Sequence, residues 1–173
     1  MGHWLGLPIL AFAAILQSTF IPQIRVFGGQ PDLVLLFVLS WAVSSSLEEA
    51  VTWAFIGGFA ADLMSAAPTG TSILGLIFIV FLVERLKGQV VNINILVLVG
   101  LTLAAAFIQL ITQMVILGVT GTAIRPVDQF FYIILPSVVY NVIFIAPVYW
   151  FTRRIKRLLS PGRRMQRRSI SES

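Results

Sequence analysis

Six long apolar runs separated by short turns make up most of this chain. Only 11% of its 173 residues are charged and 58% are hydrophobic, whereas soluble domains are typically about 25% charged. Helices of this kind satisfy their own backbone hydrogen bonds and can cross a bilayer. We therefore predict an all-α, polytopic membrane helical bundle with six transmembrane helices in residues 1–154, and a basic tail in residues 155–173. The predicted helices are Trp4–Ile21, Pro31–Ser46, Leu47–Met64, Thr71–Leu86, Ile93–Val119 and Asp128–Arg154.

The second run, Pro31–Ser46, is short for a membrane span. We expect Pro31 at its first helical position and Asp32 beside it, where a carboxylate complements the positive end of the helix dipole. At 1.5 Å per residue this helix extends ~24 Å, against ~30 Å of hydrocarbon core. Either the bilayer thins around it or other helices enclose it.

The basic residues predict the orientation. With six spans, ten fall on one side, namely Arg85, Lys87 and eight residues after Trp150, whereas only Arg25 and Arg125 fall on the other. Because loops rich in lysine and arginine stay in the cytoplasm, both termini are predicted to be cytoplasmic. The same orientation places Trp53 at the inner membrane interface, where tryptophan is enriched.

The basic tail explains the net charge of +5. A cluster of this kind next to a membrane span is expected to bind anionic lipid or to dock a cytoplasmic partner, and it does not indicate a nucleic-acid partner. The residues predicted to bind lipid are Arg153, Arg154, Lys156, Arg157, Arg163, Arg164, Arg167 and Arg168.

No catalytic, cofactor or metal site is predicted, and the chain is expected not to be an enzyme. It has no cysteine, and its one histidine is His3 near the N-terminus. Nucleophilic catalysis needs a nucleophile beside a base, and metal binding needs clustered ligands. The carboxylates Asp32, Asp62, Glu84 and Asp128 instead fall in separate predicted helices.

Asp62 is the ionisable residue that most needs an explanation, because it lies within the third apolar run. Ala50, Ala54 and Gly58 precede it at intervals of four residues, so they share its helix face. A face of small residues lets two membrane helices approach closely. A carboxylate at mid-membrane costs on the order of 3 kcal/mol on insertion scales, so Asp62 must point into the protein and have a partner.

The nearest partner is the start of the next helix. Free N–H groups at a helix N-terminus bind anions, and Gly70 allows the backbone to approach closely. We predict that Asp62 accepts hydrogen bonds from the Thr69–Ser72 turn. The rival partners are Arg25 and Arg125. A functional contact of Asp62 with a partner or an ion is the other interpretation.

Polar residues also occur in the last two apolar runs. If these helices are antiparallel, a register that pairs Gln109 with Asn141 also pairs Gln113 with Ser137. We predict side-chain hydrogen bonds across this seam, as is common between membrane helices. A solute-binding site is the alternative interpretation.

Several short motifs occur in an order that resembles the MreD family of rod shape-determining proteins. They are Gln17-Ser18-Thr19, Pro31-Asp32-Leu33, the segment Gly57–Leu63 with its Gly57-Gly58 pair, and Gly70. The resemblance covers about residues 15–84. The chain departs from the family pattern at Ser44–Ser46 and Glu48-Glu49, near which the family usually carries a glycine.

The resemblance implies a scaffold in the bacterial inner membrane. It would bind an MreC-like bitopic partner and link MreB filaments to the glycosyltransferase RodA and a class B penicillin-binding protein. The family also resembles in architecture the S components of energy-coupling-factor transporters. The alternative is therefore a substrate-binding subunit of a small-molecule transporter. A polar cavity would favour that alternative.

Overall fold

A computed structural model describes residues 3–20, 23, 29–65, 70–88, 94–119 and 135–159. These residues form six α-helices, which confirms the all-α class. The helices are α1 (His3–Thr19), α2 (Leu33–Ser44), α3 (Leu47–Leu63), α4 (Thr71–Lys87), α5 (Ile95–Val119) and α6 (Leu135–Leu159).

Local capping explains why α2 begins later than predicted. Helix α2 begins at Leu33 rather than Pro31, because Asp32 is its N-cap and accepts a hydrogen bond from the Leu35 N–H at 3.0 Å. Pro31 therefore precedes the cap. Helix α6 continues to Leu159, five residues beyond its predicted end at Arg154. The predicted start of that helix at Asp128 lies outside the described residues.

Helix α2 is the centre of the bundle. Nine of its twelve residues are buried, and it contacts each of the other five helices. Of the two explanations for its short length, enclosure by other helices is the one that the structure supports. A helix of ~18 Å is long enough because its neighbours, rather than lipid, cover it.

The bundle has two ends, because consecutive helices run antiparallel. One end holds the α3–α4 turn and the first turns of α2, α4 and α6, and we call it the cavity end. The other holds the α2–α3 turn at Ser44–Ser46 and the last turns of α4 and α6, and we call it the lysine end. Two contacts show which helix termini meet at each end. Gln17 bonds Val34 at the cavity end, and Lys156 bonds Ser44 at the lysine end.

Glycine allows close packing on both sides of α3. A Cβ at Gly58 would lie 2.6 Å from the Cα of Ile73 in α4, which no real contact allows. At Gly57 the three atoms nearest to a Cβ would be side-chain atoms of Leu10, Val34 and Val38, at 3.0–3.2 Å. Ala50, Ala54 and Asp62 are buried on the same helix, in agreement with the predicted small-residue face.

Large apolar side chains are exposed on every helix except α2, among them Phe12, Phe55, Phe78, Phe107 and Ile143. Two helices are long and apolar enough to span a membrane by length and composition, over Ile95–Ile116 and Leu135–Arg157. Helices α1, α3 and α4 have 17 residues each.

Candidate functional site

The α3–α4 turn is held by the carboxylate of Asp62, which is 2% exposed. Its Oδ2 accepts a hydrogen bond from the Gly70 N–H at 2.6 Å, and its Oδ1 accepts one from the Ser72 N–H at 2.9 Å. These are hydrogen bonds of the kind predicted from the sequence. The carboxylate thus satisfies two N–H groups that a helix N-terminus leaves free and complements its positive dipole. The rival partners Arg25 and Arg125 lie outside the described residues.

Gly70 makes this turn possible through its backbone conformation. Its φ is +102°, in the left-handed region that side chains disfavour, although no atom lies within 4 Å of the position of a Cβ. The glycine is therefore required by its conformation and not by lack of space. The turn aims its N–H group at Asp62 at the start of α4.

A second feature of the cavity end is the segment that precedes α2. The Gln30 N–H donates to Ser137 Oγ at 3.0 Å, and the Asp32 N–H donates to Asn141 Oδ1 at 2.7 Å. The Val34 N–H donates to Gln17 Oε1 at 3.0 Å. Helices α1 and α6 thus supply side-chain acceptors for the backbone that leads into α2.

A cavity of about 240 Å³ lies between these elements. It is lined by the last turns of α1 and α3, the first turns of α2, α4 and α6, and the second half of α5. Its polar lining consists of Gln17, Gln30, Asp32, Ser65, Ser72, Gln109, Gln113, Ser137 and Asn141. Most of the polar residues singled out from the sequence therefore meet in one place, although they come from five helices and their flanking turns.

The predicted pairing of Gln109 with Asn141 is not seen in the described part of the chain, because Gln109 Oε1 has no hydrogen-bond partner there and Asn141 Oδ1 accepts from the Asp32 N–H. Ser137 Oγ accepts from the Gln30 N–H, and its pairing with Gln113 stays a prediction. Gln109 is 7% exposed, and its Oε1 has no hydrogen-bond partner in the described part of the chain. It packs against Gly75 of α4, where a side chain would overlap it.

The lysine end contains a polar cluster that sequence reasoning missed. Lys87 Nζ donates to the Ser45 carbonyl at 2.6 Å and pairs with Glu84 at 3.1 Å. Lys156 Nζ donates to the Ser44 carbonyl and to Ser45 Oγ, the latter at 3.0 Å. Two ammonium groups therefore bind carbonyls at the C-terminus of α2, where the helix dipole is negative.

The two central tryptophans explain why this cluster is partly covered. Trp41 and Trp53 stack with ring centroids 3.9 Å apart, and Lys156 Nζ lies 5.6 Å from the centroid of the Trp41 ring. Trp53 is 1% exposed. It therefore packs on Trp41 inside the bundle, and its place at the depth of the inner membrane interface stays a prediction.

The basic residues around Lys156 have different surroundings. Arg153, Arg154 and Arg157 are exposed, and the Arg154 guanidinium lies 5.4 Å from the centroid of the Trp150 ring. The ammonium of Lys156 is engaged with the α2–α3 turn, and its binding of lipid stays a prediction. The predicted lipid-binding residues Arg163, Arg164, Arg167 and Arg168 lie outside the described residues.

Comparison with known proteins gives one clear result. Residues 1–157 match the family model described as rod shape-determining protein MreD. Neither curated proteins nor solved structures give a significant match. The family match extends well beyond the motifs between residues 15 and 84 and includes both the cavity end and the lysine end. The chain therefore belongs to the MreD family of rod shape-determining membrane proteins.

Proposed function

We propose that this protein is a non-enzymatic scaffold of the bacterial cell-elongation machinery. The observation that carries the proposal is the family match over residues 1–157. The protein would bind an MreC-like bitopic partner and so link MreB filaments to RodA and a class B penicillin-binding protein. Turns fixed by buried hydrogen bonds at both ends suit a scaffold, because they hold the helices in one arrangement.

The proposed setting is the inner membrane, with six spans and both termini in the cytoplasm. Exposed apolar side chains on five of the six helices support it, as does the ten-to-two distribution of basic residues. The cavity end then faces outward and the lysine end faces the cytoplasm. Reporter fusions after Gly121 and after Ser160 should report opposite sides of the membrane, and the same side for both would contradict this topology.

Photo-crosslinking tests the partner and locates its contact. A photoreactive residue is placed at one exposed apolar position per helix, at Phe12, Phe55, Phe78, Phe107 and Ile143 in turn. Partner binding through one face should give a crosslinked MreC-like protein at one or two positions only. Leu39 of α2, which is fully buried, is the matched control. Crosslinks to lipid alone at every position would contradict a stable partner contact.

A second candidate function is favoured by the polar cavity. A substrate-binding subunit of a small-molecule transporter needs a pocket with converging polar groups, and the cavity has nine polar lining residues. Purification in mild detergent followed by mass spectrometry separates the two functions. An MreC-like protein that co-purifies supports the scaffold, whereas an ATPase pair supports transport.

A further inference from the structure

The outward surface of the α3–α4 hairpin is apolar over a short length only, and we call it the short face. The two helices pack against each other and expose large apolar side chains. On α4 the uncharged stretch runs from Thr71 to Val83, which is ~20 Å at 1.5 Å per residue. On α3 the corresponding stretch runs from Ala50 to Leu63, ~21 Å, and its one carboxylate, Asp62, is buried. Both helices therefore offer a bilayer the same short apolar length.

Charged groups limit the short face at the lysine end. Glu48 and Arg85 are exposed there, so covering them with hydrocarbon would be costly. A lysine near the end of a short span can usually extend its side chain to reach the head groups. Lys87 is held back, because its ammonium donates to the Ser45 carbonyl at 2.6 Å and pairs with Glu84 at 3.1 Å. The fold itself therefore fixes the apolar length of this face.

Helix α5 has the opposite proportions. It contains 25 residues and no charged side chain, which makes ~37 Å of apolar helix. Its exposed large side chains extend from Ile95 to Val119. A hydrocarbon core of ~30 Å fits within the length of α5 but exceeds the short face by ~10 Å. A flat bilayer of ordinary thickness therefore does not match both sides of the bundle.

The side chains of the short face favour lipid over a protein partner. Membrane helices associate through small residues and interhelical hydrogen bonds. The small residues of α3 are already used inside the bundle, because Gly57 is buried and Gly58 lies against α4. The side chains that point outward are bulky, among them Phe55, Phe59 and Phe78. They prevent close approach of another helix, whereas acyl chains can cover them.

We propose that the short face binds a ring of thinned phospholipid bilayer, whose hydrocarbon core is ~20 Å thick instead of ~30 Å. The face selects lipid by chain length, since short acyl chains match it without compression. This proposal rests on the six-span arrangement proposed above. Oligomerisation is the other way to cover a short span, and the test below separates the two.

Site-directed spin labelling measures the local thickness, and a chain without cysteine accepts one label at a time. Leu74→Cys and Phe81→Cys place nitroxides at exposed positions ~10 Å apart along α4. The full-length protein is placed in dioleoyl-phosphatidylcholine nanodiscs, and the depth of each label is obtained from its relaxation by oxygen and by a nickel chelate. The two depths, each measured from the nearer edge of the hydrocarbon, should sum to ~10 Å, whereas an unthinned bilayer gives ~20 Å.

The matched control is the pair Leu103→Cys and Ile111→Cys on α5, which are exposed and ~12 Å apart. Their depths should sum to ~18 Å in the same nanodiscs. Dimyristoleoyl-phosphatidylcholine has shorter chains and forms a thinner bilayer. In that lipid the α5 sum should fall, while the α4 sum should stay the same because the short face already sets the thickness beside it.

Three results would overturn the proposal, and each has a different meaning. An α4 sum of ~20 Å with full access to oxygen would rule out thinning and leave the six-span arrangement standing. Labels on α4 that contact the nickel chelate but not oxygen would show a face in water, which contradicts the spans as well. Labels shielded from both agents would show that protein, and not lipid, covers the face.

Discussion

The two turns that flank α3 are stabilised by side chains of opposite charge. At the cavity end the carboxylate of Asp62 binds N–H groups at the start of α4. At the lysine end the ammonium groups of Lys87 and Lys156 bind carbonyls at the end of α2. Each turn thus places the charge that complements a helix terminus against that terminus.

The turns differ in where that charge comes from. Asp62 bonds residues that lie 8 and 10 positions away, so the α3–α4 hairpin is complete in itself. Lys87 and Lys156 bond residues that lie 42 and 112 positions away, so the α2–α3 turn depends on two other helices. The first turn stabilises a local unit, whereas the second connects distant parts of the bundle.

The largest effect is expected from Asp62→Leu. This change leaves two partly buried N–H groups unpaired at about 1–3 kcal/mol each, and so should reduce the free energy of unfolding by about 2–6 kcal/mol. Hydrogen exchange should accelerate at the amides of Gly70 and Ser72. Phe59→Leu, an exposed position one turn earlier on the same helix, is the control and should have little effect.

Asp62→Asn tests whether the α3–α4 turn needs the negative charge of Asp62 or only its hydrogen-bond acceptors. Sequence reasoning predicts a mild effect, because an amide oxygen still accepts a hydrogen bond. In the structure, however, both carboxylate oxygens accept, so asparagine keeps one bond and turns its NH₂ group toward the other N–H. We therefore expect an intermediate loss of about 1–3 kcal/mol. A loss as large as that of Asp62→Leu would show that the charge itself is required.

Lys156→Met should have the next largest effect. It removes hydrogen bonds from an ammonium group to Ser44 and Ser45, but the site is partly exposed, so water can replace some of them. We expect a loss of about 1–2 kcal/mol in denaturant titration in mixed micelles. Exchange should accelerate in residues 45–50 and not at Gly70. Arg153→Met, an exposed position on the same helix, is the control.

Gly70→Ala should cost about 1–2 kcal/mol, because the alanine must adopt a left-handed conformation. Gly100→Ala is the matched control. A Cβ there would also meet no atom within 4 Å, but Gly100 lies within α5 and its φ is not positive. Since alanine favours a helix interior over glycine, that control should have the opposite sign. Equal effects at both positions would contradict the conformational argument.

The smallest expected effect is the coupling between the two turns. Asp62 lies near the end of α3, whereas Lys156 of α6 contacts the turn that precedes α3, so the length of this 17-residue helix, roughly 25 Å, separates the two sites. Their hydrogen-bond partners are different residues. The effects of Asp62→Asn and Lys156→Met should therefore add to within about 0.5 kcal/mol. A double-mutant cycle measures this directly. A larger coupling energy would show that the two turns form one cooperative unit.

The two turns also show what the sequence can predict. The hydrogen bonds of Asp62 were predictable because donor and acceptor lie on either side of one short turn. Helix bounds were likewise predictable from apolar runs, and where α2 differs, the cause is the capping preference of Asp32. Both are local properties of the chain.

Contacts between distant segments were not predictable in the same way. The predicted pairing of Gln109 with Asn141 assumed that α5 and α6 bond only each other. The structure instead places the backbone of Gln30 and Asp32 against α6, and its N–H groups take the acceptors. Helical periodicity does not reveal an irregular segment as a donor. The contact of Lys156 with the α2–α3 turn was not predicted, because the basic residues around Lys156 suggested lipid as its partner.

Helix α6 binds both ends of α2, through Asn141 at the first turn and Lys156 at the last. The ribosome makes the central helix more than a hundred residues before these two contacts. During synthesis, the Asp32 N–H and the Ser44 carbonyl are therefore made long before the Asn141 and Lys156 side chains that bond them. A chain that stops before Leu135 lacks both of these contacts, so α6 completes the hydrogen bonding at the two ends of the central helix.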